Sequence, residues 1–302
     1  VLFTQLHKQK PLVISFELFP PKTAEAEARL FEQTIPEMLE LEPGFLTCTY
    51  GAGGSTREET MRMVTRIRQQ FGIEIASHLT CIGASRESIA AYLARMREND
   101  INNVLALRGD PPLNDPNYRP AREGFRLAIN LVRYIKGVGG FDIFVAGYPE
   151  GHPECPDKYL DWRRCAEKVE AGADGIITQL FYDNNDFFEF DDYLRNKLGV
   201  TVPIVPGILP ILSTNQIRRF CGLCGAKLPP QVSAQLDRLA DDNEACRRYG
   251  IDLATQMCDE LIRHGVPGIH FYTLNRAAST RAVMQNLGLV AQKQPIEGRE
   301  SR

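Results

Sequence analysis

Leu12-Val13-Ile14-Ser15-Phe16-Glu17-Leu18-Phe19, stopped by Pro20-Pro21, is the stretch on which the fold turns. It is too short for an ordinary helix, rich in β-branched and aromatic residues, and apolar on both alternating faces. A run of that kind is a strand buried on two sides, which is the signature of a parallel sheet covered by helices. Working outward, seven further runs share its character: Phe45 to Thr49, Glu74 to Leu79, Asn103 to Leu107, Asp142 to Gly147, Gly175 to Leu180, Val202 to Ile208 and Gly268 to Tyr272. Between them lie amphipathic helical stretches, with Met61, Val64 and Ile67 on one face, then Ile89, Leu93 and Met96, then Trp162, Ala166 and Val169. Ser55 and Glu58 stand at capping-box spacing before the first of these.

Eight strands alternating with helices predict the α/β class and a single (β/α)8 TIM barrel over residues 1–290, with a doubly wound sheet as the competing arrangement. The gap of about sixty residues between strands seven and eight is too long for one crossover, so it predicts an extra helix there, around Val232 to Asp242. Residues 291–302 form a polar tail. No linker, repeat or low-complexity segment divides the chain.

Composition narrows the function classes. The 302 residues carry 35 basic and 38 acidic side chains, a net charge of −3, without long runs of one sign. No nucleic-acid or membrane partner is expected, and a small-molecule partner is. The uncharged stretch Leu198 to Ile217 is interrupted by Pro203, Pro206 and Pro210, so it reads as strand plus loop rather than as a membrane span. No basic segment followed by an apolar one opens the chain, so no export is expected. Eight scattered cysteines read as small buried hydrophobes of a reducing compartment, and the cytoplasm is the expected location. Cys221 and Cys224 have metal-type spacing, but no second CxxC or HxxxH accompanies them, so helix-packed thiols are the simpler reading and no metal is expected.

In a barrel, chemistry collects where strands run into the following loops. The strand ends here are polar: Glu17; Thr49 and Tyr50; His78 and Thr80; Arg108 and Asp110; Tyr148; Thr178 and Gln179; Tyr272 and Asn275. Any one could be a satisfied structural group, but seven polar strand ends together are harder to dismiss. Glu17 sits among aromatic and aliphatic neighbours, where desolvation favours a protonated carboxyl and thus a general acid; the bland alternative is a buried glutamate paired with an arginine. Arg108-Gly109-Asp110 sets a guanidinium and a carboxylate around a glycine that lets a flat ligand approach. Tyr50-Gly51-Ala52-Gly53-Gly54-Ser55 resembles a phosphate loop yet fits neither the dinucleotide fingerprint nor the P-loop. No strand ends in lysine, no His-x-His ends the first strand, and no GxSxG is present, which argues against an aldolase, a metal-dependent barrel hydrolase and a serine hydrolase. A buried carboxyl with amide, aromatic and basic groups suits a heteroaromatic cofactor carrying an anionic tail.

The segments Ser15 to Lys22, Thr47 to Ser55, His78 to Cys81, Leu107 to Pro111, Tyr148 to Glu154, Ala171 to Phe181, Pro206 to Pro210 and His270 to Arg276 together resemble the methylenetetrahydrofolate reductase family, over about Pro11 to Leu287. The resemblance is to the short form without a regulatory domain. It implies FAD as cofactor, NADH or NADPH as co-substrate, and reduction of 5,10-methylenetetrahydrofolate to 5-methyltetrahydrofolate by ping-pong hydride transfer in a homo-oligomer. Glu17 falls on the family's general acid, which opens the methylene bridge to an iminium ion. Asp110 falls on the aspartate that touches the pterin and tunes the flavin. Tyr50, Ala52, His78, Arg108 and Gly109 fall on flavin contacts, as does Ala128, and Thr49 on a nicotinamide contact. Tyr148, His152, Asp161 and Lys168 match positions that hold the distal parts of the flavin. Gln179, Gln216 and Arg276 match folate contacts, and Phe220 and Tyr272 would flank folate rings. The chain departs from the pattern at Leu127, where a tyrosine is expected beside the flavin, and the match is patchy over Cys155 to Glu167, so Arg164 and Glu167 receive no role. Two other readings remain open: another flavin-dependent barrel oxidoreductase of the proline-dehydrogenase kind, and a folate-binding barrel without catalysis.

Overall fold

All eight predicted strands form: β1 (Val13–Leu18), β2 (Phe45–Cys48), β3 (Ile75–Thr80), β4 (Asn103–Leu107), β5 (Asp142–Gly147), β6 (Gly175–Leu180), β7 (Ile204–Ile208) and β8 (Gly268–Tyr272). They pair in parallel, each with its neighbour in sequence, and β8 closes on β1, so the sheet is a closed barrel. This computed structural model describes residues 1–50, 57–110, 121 and 123–291. Ala52, the rest of the glycine-rich loop with Ser55, Pro111 and the tail 292–302 lie outside the described residues. β7 starts after Pro203, which has no N–H to give a ladder although its carbonyl accepts from Ile176 N.

The helices follow the strands in order. α1 (Phe3–Gln9) precedes β1; α2 (Ala24–Arg29) and α3 (Ile35–Leu39), joined through a π-helical turn, follow it. α4 (Arg57–Phe71), α5 (Arg86–Glu98), α6 (Ala128–Val138), α7 (Lys158–Glu170) and α8 (Asn184–Asp192) then follow β2 to β6 in turn. Between β7 and β8 the chain forms α9 (Thr214–Cys224), α10 (Pro230–Arg238) and α11 (Asn243–His264), and α12 (Ala278–Asn286) follows β8. The predicted window of 232–242 overlaps α10 but runs past its end, because Asp242 caps the next helix, its carboxylate accepting from Ala245 N at 2.9 Å. No helix among the described residues is long and apolar enough to cross a membrane.

Two apolar shells hold the barrel. The larger packs the outer faces of the strands against the helices, through residues such as Phe16, Leu46, Leu79, Ile176 and Phe271. The smaller fills the lumen at the N-terminal end of the strands with Val13, Phe45, Ala76, Leu105, Phe144, Ile177 and Val205. α1 seals it from below. Phe3 stacks on Phe45 with ring centroids 3.6 Å apart, and the N–H groups at the start of α1 are bound by Asn103 Oδ1 and Asp142 Oδ2 at 2.9 and 2.8 Å.

Candidate active site

Two residues above each floor position, side-chain alternation returns the strands to the lumen, and there the character changes. On β1 the inward column reads Val13, Ser15, Glu17; on β3 it reads Ala76, His78; on β8 it includes His270 and Tyr272. Glu17 is buried, with 6% of its surface exposed, and its Oε2 lies 3.4 Å from His78 Nε2 and 3.8 Å from His270 Nε2. His270 in turn is held by Ser15, Oγ to Nδ1 at 2.8 Å. Burial drives the His78 imidazole down to about 4, against the raising pull of Glu17, so at neutral pH the 3.4 Å contact joins a neutral ring to the carboxyl group and is not an ion pair. No arginine or lysine forms an ion pair with Glu17 among the described residues.

The turn after β8 fixes Glu17 from behind. Thr273 Oγ1 donates to Glu17 O at 2.6 Å, and Asn275 exchanges two hydrogen bonds with the Phe19 backbone at 2.9 and 2.8 Å. Leu274 and Asn275 both have positive φ, 51° and 56°, a costly pair of left-handed residues held in place by those bonds. The register between β6 and β7 slips between Ile177 and Leu180, and Thr178 Oγ1 accepts from Gly207 N to mend the ladder. Gly207 must lack a side chain: a Cβ would come within 2.6 Å of the Tyr272 ring, whose hydroxyl donates to Thr178 O at 2.6 Å.

A cavity of about 460 Å³ opens across the ends of β4 and β5. It gathers Arg108, Gly109, Asp110, Ala128, Tyr148, His152, Asp161 and Lys168, all predicted as flavin contacts. Arg108 grips Glu154 through both Nη atoms at 2.5 and 2.9 Å. Lys168 Nζ donates to Ala146 O at 2.7 Å, and Asp161 accepts from His152 N at 3.1 Å. Burial pushes the Tyr148 hydroxyl up to about 12 and raises the Asp161 carboxyl. Gly109, at φ +81°, has no room for a Cβ beside Thr80 and Ile82. Arg164 and Glu167, to which no role was given, line the same cavity, and Leu127 borders it with 54% of its surface exposed.

The remaining predicted residues lie apart from this cavity. Thr49 and Tyr50 follow β2, with Thr49 O accepting from Thr60 and the Tyr50 hydroxyl paired to Arg57. Gln179 ends β6, its Oε1 accepting from Leu180 N at 2.9 Å. Gln216 and Phe220 are half-buried on α9, and Arg276 is exposed after β8. Sequence reasoning singled out neither Ser15 and Glu154 nor the inward-facing His270. A histidine between Ile269 and Phe271 looks like a packed core residue, and only its alternation with them, which faces it inward, could have marked it.

Buried His78 Nε2, His270 Nε2, Thr47 Oγ1 and Thr80 Oγ1 find no hydrogen-bond partner among the described residues. Orphaned polar atoms concentrated at one mouth are what a ligand-facing surface requires. Residues 2–288 match the family model described as methylenetetrahydrofolate reductase. The chain belongs to that family. It is 40% identical over 294 residues to methylenetetrahydrofolate reductase (NADH) 1 of Arabidopsis thaliana, covering 94% of this chain and 49% of that protein. It is 37% identical over 281 residues to 5,10-methylenetetrahydrofolate reductase of Escherichia coli (strain K12), covering 93% and 92%. The chain thus spans about half the length of the plant members of the family that it matches and most of the bacterial one. Among solved structures, an uncharacterised Clostridium thermocellum protein that binds two copies of 5-methyl-5,6,7,8-tetrahydrofolic acid shares the fold, with a TM-score of 0.64 at 15% identity, over 95% of this chain and 97% of that one.

Proposed function

We propose that this protein reduces 5,10-methylenetetrahydrofolate to 5-methyltetrahydrofolate, with NADH as electron donor and FAD as resident cofactor, in a ping-pong cycle. The observation that carries the reading is Glu17: a buried carboxyl at the barrel mouth, faced by two histidines and, among the described residues, paired with no arginine or lysine. The plant relatives named for NADH support that donor. Eight cysteines without a disulfide suit a cytoplasmic enzyme, and family likeness supports a homo-oligomer.

The residues present fit a flavin. The cavity has the volume of an ordinary ligand site, its left-handed Gly109 brings backbone to its wall, and its donors suit an anionic tail. When bound, the flavin supplies the two-electron relay between the substrates. Lys168 and Arg164 would neutralise its diphosphate, Tyr148 and His152 would hold its distal parts, and Arg108 and Asp110 would meet its ring system. Thr49 meets the nicotinamide. On the other side Gln179, Gln216 and Arg276 orient the folate between Phe220 and Tyr272. Glu17 delivers the proton that lets the methylene bridge open. Burial keeps His78 neutral down to about pH 4, so it is not that donor, while His270, steadied by Ser15 and with Nε2 3.8 Å from Glu17 Oε2, helps to orient the carboxyl.

The test is anaerobic absorbance spectroscopy of the purified protein. NADH should bleach the flavin band and methylenetetrahydrofolate should then restore it. Bleaching without recovery would leave a different flavin oxidoreductase, and a protein that binds folate without a flavin band would defeat the reading altogether.

A further inference from the structure

The loop after β5, residues 148–157, supplies Tyr148 and His152 to the flavin cavity, while α9 carries Gln216 and Phe220. A side chain with neither role joins the two. Glu150 Oε2 accepts from Lys227 N at 2.8 Å in the turn after α9, and Glu150 Oε1 is buried without a hydrogen-bond partner among the described residues. Beside it, α9 ends at Gly225 with φ +78°, pressed so closely on the same loop that a Cβ would lie 2.4 Å from Pro153 Cγ. The 150–153 loop therefore grips the 225–227 turn at two adjacent points.

We infer that Glu150 is a positioning residue that pins the C-terminal end of α9, and with it Phe220, to the loop carrying the flavin-side residues. The roles of Phe220 and the loop rest on the proposed function. The hydrogen bond spans 77 residues of sequence and, with the close approach of Gly225 to Pro153 beside it, ties the loop after β5 to the turn after α9. Its surroundings also make the clamp sensitive to charge. Asp183 and Asp186 face it from the start of α8, Cys221 and Cys224 from α9, and Lys227 from the turn. Burial is the main cause that pushes the Glu150 carboxyl up to about 7, with the two aspartates adding to it. As pH rises through that value the bond from Lys227 N favours the anion, but desolvation and the two aspartates outweigh it, so the buried, clamped position of the side chain loses ground to an exposed one and the clamp loosens. Because the folded value lies above the ordinary 4.5, the unfolded chain loses this proton first, so the group's contribution to stability falls as pH rises from about 4.5 to about 7 and is level above it.

The experiment compares wild type, Glu150→Ala and Glu150→Gln at about pH 6 and about pH 8, reading the folate KM, kcat and the anaerobic rate of flavin reduction by NADH. Glu150→Ala should raise the folate KM about tenfold, with flavin reduction within about twofold of wild type. Glu150→Gln keeps an oxygen that can accept from Lys227 N, so it should hold the wild-type low-pH KM and abolish its rise with pH. An unchanged KM in Glu150→Ala, a wild-type pH slope in Glu150→Gln, or equal loss of both half-reactions would overturn the inference. If Glu150→Ala does not fold, the slope in Glu150→Gln decides alone. Should wild type show no flavin or folate chemistry, the functional reading fails by itself. Amide exchange at Lys227 then tests the clamp: wild-type exchange should quicken on raising the pH more than in Glu150→Gln, and equal acceleration would refute it.

Discussion

The two ends of the barrel lumen are built by the same strands and differ in nearly everything else. At the N-terminal end Val13, Phe45, Ala76, Leu105, Phe144, Ile177 and Val205 pack without a polar atom among their side chains, under an aromatic stopper from α1. At the C-terminal end Glu17, His78 and His270 are equally buried, yet the Nε2 atoms of both histidines lack hydrogen-bond partners within the described protein. Folding tolerates this cost because the apolar contact of the lower end offsets it, although that end carries an orphan of its own in His7 Nε2, packed against Phe45 and Phe144. The lesson is a separation of tasks along one strand: two residues of rise, about 7 Å, divide a position chosen for packing from one chosen for chemistry.

The sharpest way to break that division is to change one residue at each end. Glu17→Gln at the top should slow the folate half-reaction by about 10³-fold while flavin reduction by NADH and the urea midpoint stay near wild type. Rapid mixing of each half-reaction separately is the measurement, and a parallel fall in both would show that Glu17 is structural. At the bottom, Phe45→Ala should cost about 3–5 kcal/mol of stability by denaturant unfolding, with kcat/KM per folded molecule within about twofold of wild type. A large loss of activity in the fully folded variant would mean that the floor and the mouth are coupled.

Ser15 stands between the two levels and should show a mixture. Removing its hydroxyl leaves His270 Nδ1 buried without its 2.8 Å partner. Ser15→Ala should therefore lose about 1–2 kcal/mol of stability and about tenfold in the folate half-reaction together. Loss of stability alone would make His270 a packing residue and detach it from the orientation of Glu17.

Much of this was legible in the sequence because both faces of each strand are buried, so β1 and its seven counterparts announce themselves as apolar runs without alternation. Glu17 stood out as the one charge inside such a run rather than at its start, where Glu74 and Asp142 stand. Cavity residues such as Lys168 and His152 gave no local signal; they were reached only through resemblance, since a lysine on an amphipathic helix is ordinary. Ser15 with His270 and Glu150 with Lys227 were hidden for another reason. Each pair is separated by a long stretch of chain, 255 and 77 residues, and meets only because the barrel closes or two loops cross, which no window of sequence displays. Helix ends were blurred where one residue serves the next element, as Asp242 does.

Leu127 offers the smallest test of the contrast, because it asks whether the upper end is as tightly specified as the lower. It precedes α6 as its N-cap without a side-chain cap bond, borders the cavity and is more than half exposed. An apolar side chain left in solvent at that spot gains nothing from folding, so its packing partner must come from a ligand or not at all. The family resemblance places a tyrosine there. Leu127→Tyr should tighten flavin binding by about two- to tenfold, the worth of one ring stacked on another, and leave the unfolding midpoint of the flavin-free protein within about 0.5 kcal/mol. Equilibrium dialysis of flavin against the apoprotein measures it. No change in affinity would place Leu127 outside the flavin's reach, and weaker binding would mean that the cavity wall is already filled and that the leucine is the better fit for this chain.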